Sequence, residues 1–74
     1  MTHAELSAYF TAPRHEPIHA HFIDLHFRTD GSARIKLVGP KKHVREELSA
    51  SHVAALDEQG LADIVSWLVR DVQR

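Results

Sequence analysis

The chain has no cysteine among its 74 residues. That excludes disulfide staples, Cys-based zinc sites and thiol catalysis. Small secreted domains usually need such staples, so a reducing compartment, the cytoplasm by default, is the expectation. The three glycines stand apart, so no Gly-rich loop can cradle a phosphate. No apolar run approaches the roughly 18 residues of a membrane helix. Thr2 to Thr11 is amphipathic and carries Glu5, unlike a signal peptide. A nucleophile elbow and a paired-carboxylate motif are both missing. The reading is of a non-catalytic chain with no cofactor.

What is present is the composition of a folded protein, 43% hydrophobic and 26% charged. Disorder would need fewer apolar residues and a larger net charge. At this length residues 1–74 form one small domain with a thin core.

The net charge of −1 hides an uneven distribution. Residues 28–45 carry Arg28, Arg34, Lys36, Lys41, Lys42 and Arg45 against Asp30 alone. Residues 46–63 carry Glu46, Glu47, Asp57, Glu58 and Asp63 with no Lys or Arg. Two solvated faces that attract each other, within the fold or between copies, explain this blandly. A basic patch for an anionic partner is the sharper explanation.

Thr2 and Glu5 form a capping-box pattern ahead of Leu6, Tyr9 and Phe10, which predicts a short helix stopped by Pro13. Residues 12–17 read as a loop, because proline disfavours helix in the residue before it. Residues 18–28 and 33–38 read as two strands joined at Gly31. A two-residue loop would set Leu25 opposite Lys36. A three-residue loop, Thr29-Asp30-Gly31, pairs Phe27 with Ala33, Leu25 with Ile35 and Ile23 with Leu37, leaving one face wholly apolar. Asp24 then faces Lys36, and His26 faces Arg34. Register follows burial, and Gly31 suits a left-handed bulge position. The earlier residues Ile18, Ala20 and Phe22 run in the opposite phase. That calls for a bulge near Phe22 or for the first helix lying over the second face.

Residues 41–48 allow two readings, a helical turn begun after Pro40 with Val44 and Leu48 four apart, or a short third strand. Ser49 is a good N-cap, with Leu48 and Val53 as a hydrophobic staple. The helix it starts is expected to run to about Gln59, where Gly60 offers a left-handed stop. Leu61, Ile64, Val65, Leu68, Val69 and Val72 then define a last amphipathic helix. The fold class is α+β: a short N-terminal helix, an antiparallel hairpin with a third strand as the variant, and two C-terminal helices packed on the hairpin.

Seven histidines are unusual in 74 residues. His19 and His21 share a face if extended, and with His15 or Glu16 they are the candidate ligands for a Zn²⁺ or Ni²⁺ ion. Solvated or core-edge histidines are the plainer explanation, so no metal is expected. Trp67 lies about 120° from the centre of its helix's apolar stripe, at ~100° per residue. It is either a lid over the core's edge or an anchor at an interface. A helix-turn-helix around Gly60 is disfavoured, because the second helix carries Asp63 and Asp71 and spends its other face on the core.

The function expected is stoichiometric binding to a larger macromolecule, a protein before a nucleic acid. The expected contacts are Arg28, Arg34, Lys36, Lys41, Lys42, Arg45 and Trp67. A nucleic-acid module using the basic hairpin face and a histidine metal domain are the alternatives. A homodimer is also expected, from the thin core and the off-stripe Trp67.

Overall fold

Thr2 and Glu5 cap each other as their spacing requires. The Thr2 N–H donates to Glu5 Oε1 at 2.9 Å, and the Glu5 N–H donates to Thr2 Oγ1 at 3.1 Å. They open α1 (His3–Thr11) in the computed structural model, which describes residues 1–11 and 22–74. The expected loop at 12–17, the start of the first strand at 18–21, and His15, His19 and His21 lie outside the described residues.

The strands β1 (Phe22–Phe27), β2 (Ala33–Val38) and β3 (His43–Leu48) form one antiparallel sheet in the order β1-β2-β3. The hairpin has the register derived from face matching, with Asp24 opposite Lys36, Leu25 opposite Ile35 and Phe27 opposite Ala33. The Arg28 N–H donates to the Ser32 carbonyl at 3.0 Å, and the Gly31 N–H donates to the Arg28 carbonyl at 3.1 Å. Gly31 has φ 95°, a conformation that strains any residue with a Cβ. The register runs unbroken from Phe22 to Phe27, so this part of the strand has no bulge. Phe22 is 56% exposed on the face opposite Ile23.

Within the 41–48 segment, His43–Leu48 is a strand, and Lys41 and Lys42 belong to the turn before it, with no helical turn. Val44 and Leu48 stand opposite Leu37 and Ala33, and pairing with β2 buries more of both than an isolated turn could. Glu46 occupies the helix-side position between them, opposite Ile35, and it is this carboxylate that breaks the alternation expected of a strand.

Two helices follow, α2 (Ala50–Ala55) and α3 (Glu58–Val72). Ser49 caps α2, accepting from the His52 N–H at 3.2 Å, and Leu48 and Val53 are both buried. The helix ends earlier than expected, and Gly60 does not stop it. Asp57, extended at φ −116° and ψ 177°, caps α3 instead. Its Oδ1 accepts from the Gly60 N–H at 2.7 Å, so Gly60 lies in the first turn of α3. A side-chain cap outweighs the glycine's left-handed preference here, because it satisfies an otherwise orphaned N–H.

Helices α1, α2 and α3 lie on the same side of the sheet. Leu6, Ile35, Leu37, Leu48, Leu61 and Leu68 form the centre of the core. The His3 ring stacks on Phe27, with centroids 4.8 Å apart, and His3 Nε2 donates to the Gly31 carbonyl at 3.0 Å, which fixes α1 to the hairpin. The Met1 ammonium donates to the carbonyls of Val53, Ala54 and Leu56 at 3.0–3.2 Å, satisfying the C-terminal end of α2. No helix among the described residues is long and apolar enough to cross a membrane.

Candidate functional site

The helices pack on one face, and among the described residues no helix or strand lies over the other. Alternation places Phe22, Asp24 and His26 from β1 there, with Arg34, Lys36 and Val38 from β2 and His43, Arg45 and Glu47 from β3. The cross-strand rows are Phe22–Val38–His43, Asp24–Lys36–Arg45 and His26–Arg34–Glu47.

The six basic residues divide by what they touch. Arg28 reaches across Ser32 to Glu47, with Nη2 2.9 Å from Oε2 and Nη1 3.4 Å from Ser32 Oγ. It therefore has a structural role that strand alternation alone did not assign to it. Lys42 points toward the helices, its Nζ 3.6 Å from Asp71 Oδ1 at the end of α3. Lys41 is exposed on the β2–β3 turn. Arg34, Lys36 and Arg45 remain. Among the described residues none of the three has a carboxylate within ion-pair distance, although Asp24 faces Lys36 in register.

Lys36 and Arg45 stand directly opposite each other, an arrangement that repels in a sheet. Arg34 sits beside them on the central strand, and its Nε is buried with no hydrogen-bond partner. An orphaned charged donor of this kind costs stability. Three cations thus share one patch, and among the described residues none of them closes an ion pair. Arg45 joins the patch only because β3 is a strand.

Trp67 is 55% exposed on the helix side, away from the basic cluster. It lines a groove of about 310 Å³ with Glu46, Asp63 and Ile64. Sequence reasoning did not find Glu46, although an acid at a strand's apolar phase was a usable signal. Among the described residues no group of three or more His, Asp or Glu is placed to hold a metal ion.

No family model, curated protein or solved structure matches the chain.

Proposed function

We propose that the protein is a non-catalytic binding protein whose open sheet face docks on an acidic surface of a larger protein. The observation that carries this is the Arg34–Lys36–Arg45 cluster. Lys36 and Arg45 face each other, Arg34 has a buried unpartnered Nε, and among the described residues no carboxylate lies within ion-pair distance of any of the three. An anionic partner supplies the missing counter-charge, and steers the encounter as well.

The composition of the face favours a protein over a nucleic acid. Asp24 and Glu47 flank the cluster and Phe22 with Val38 forms an apolar end. That mixture of ring, Arg and apolar surface is typical of protein interfaces. A phosphate-tracking surface carries a broader field of one sign, whereas this chain has a net charge of −1.

The test is a binding series with Arg34→Gln/Lys36→Gln protein. Poly-L-glutamate serves as the acidic probe, with single- and double-stranded oligonucleotides beside it. The substituted protein is expected to keep its fold and lose most of its affinity for poly-L-glutamate. Equal affinity in both proteins overturns the reading. A stronger response to oligonucleotides, with a log–log salt slope that falls by about one per phosphate contact removed, assigns the face to nucleic acid.

A further inference from the structure

The groove beside Trp67 adjoins a second unpartnered feature, the outer edge of β3. In the strand order β1-β2-β3 only one side of β3 is paired among the described residues, so its outward N–H and C=O groups can accept another strand. The edge carries an unusual residue. On the helix side of the sheet every other position of the three strands is apolar, and Glu46 alone is charged. It is half-buried, and no cation lies within ion-pair distance of it among the described residues. Asp63 lines the same groove, accepting from Gln59 Nε2 at 3.1 Å, while Ile64 and the Trp67 indole supply its apolar wall.

We infer that this edge takes an extended segment of a different protein as a fourth strand, with a Lys or Arg of that segment seated in the groove against Glu46, Asp63 and Trp67. Strand addition supplies backbone hydrogen bonds, and alternate side chains supply selectivity. A residue opposite Glu46 projects to the helix side, toward the groove. There its methylenes lie along Ile64 and Trp67, its cation meets two carboxylates, and the indole face attracts it further.

A second copy fits the edge poorly. Its β3 offers Val44, Glu46 or Leu48 to the helix side, and its β1 offers Ile23, Leu25 or Phe27. None is a cation, and an antiparallel β3–β3 pair centred on Glu46 sets two carboxylates together. Inward charges on edge strands block indiscriminate pairing. The same charge admits a strand that brings the opposite sign. The segment's next residue lies opposite Arg45 on the open side, so an acidic residue adjacent to the cation completes the match. The groove lies on the other side of the sheet from the basic cluster and shares only Arg45 with it, at the strand's edge; the seating of the cation against Glu46 does not depend on the reading of that face.

Trp67 is the sole tryptophan, so its emission reports on the groove directly. The probes are short peptides of alternating Thr and Val with a central Lys–Glu pair, the Arg–Glu counterpart, and a control with Gln in place of the cation. The cationic peptides are expected to change Trp67 emission saturably and to slow amide exchange along β3. The Gln control should bind about tenfold more weakly, as loss of a paired charge on an indole predicts. Glu46→Gln protein, with unchanged melting, should weaken the Lys peptide by a similar factor. The proposal is overturned if neither cationic peptide gives a saturable change, if the control binds equally, or if Glu46→Gln has no effect. A dimer that Trp67→Ala converts to monomer would assign the groove to a second copy and overturn it as well.

Discussion

Arg28 and Glu47 close an ion pair across all three strands, Nη2 to Oε2 at 2.9 Å, passing over the small side chain of Ser32. The pair removes one cation and one anion from the open face. Both partners are more than a third exposed, at 36% and 50%, so solvent screening limits its worth. A double-mutant cycle with Arg28→Gln and Glu47→Gln should give a coupling energy of about 0–1 kcal/mol that shrinks with added salt. Urea denaturation measures it, and a coupling well above that range would mean that the pair organises the sheet.

Arg45 should behave as a binding residue that the fold tolerates at a cost. Arg45→Gln removes the repulsion with Lys36 across β2 and β3. Stability in low salt should stay level or rise by a few tenths of a kcal/mol, the scale of cross-strand pair effects. Affinity for poly-L-glutamate should fall in the same variant. A loss of stability together with unchanged binding would place Arg45 in the scaffold and out of the site.

Gly39 is a packing glycine. A Cβ built there would lie 2.7 Å from Val72 Cγ2, and 3.3 Å from the carbonyl oxygens of Lys42 and Val72. The end of α3 must therefore withdraw from the β2–β3 turn in Gly39→Ala. Overpacking of this kind costs about 1–3 kcal/mol. Val72→Ala in the same chain should recover part of that loss, because the closest clash is with the valine methyl. Denaturant midpoints of the single and double variants decide the point. No recovery would locate the strain in the two carbonyl contacts.

Acid should weaken the hairpin turn before it affects the core. The Ser32 hydroxyl and N–H, donating to Asp30 Oδ1 at 2.6 and 2.8 Å, hold the Asp30 carboxyl below its ordinary value. Thr2 lowers Glu5 in the same way. A carboxyl depressed in the folded state contributes stability that is fully present above its unfolded pKa. That contribution is lost as pH falls through the folded value. The loss should therefore begin near pH 4 and continue below it. Asp30→Asn protein should be less stable than the parent at neutral pH and should show a flatter decline below pH 4. A parallel decline in both proteins would show that the turn's bonds do not favour the ionised carboxylate.

Residue identity alone determined the parts of this protein whose partners are near in sequence or matched by pattern. The Thr2–Glu5 box, the Ser49 cap and the apolar stripe of α3 are local, set by side chains within a turn or two of each other. The hairpin register was also legible, because only a three-residue loop puts Ile23, Leu25 and Phe27 on the same face as Ala33, Ile35 and Leu37. Tertiary structure decided what depends on distant partners. Residues 43–48 become a strand because β2 has a free edge to pair with and a helix layer to bury Val44 and Leu48. Glu46 in the apolar phase concealed this from any count of alternation. Gly60 was misread because its neighbour's carboxylate, rather than its own backbone freedom, sets where α3 begins. The hairpin register read from the sequence already set Arg28, Arg34 and Lys36 away from the core, while Lys41, Lys42 and Arg45 were visible only as a run of positive charge. Packing determined that Arg28 and Lys42 are neutralised by Glu47 and Asp71, and that Arg34, Lys36 and Arg45 meet on an open face. Ion pairs between elements depend on which strand lies beside which, and linear charge patterning carries no record of that.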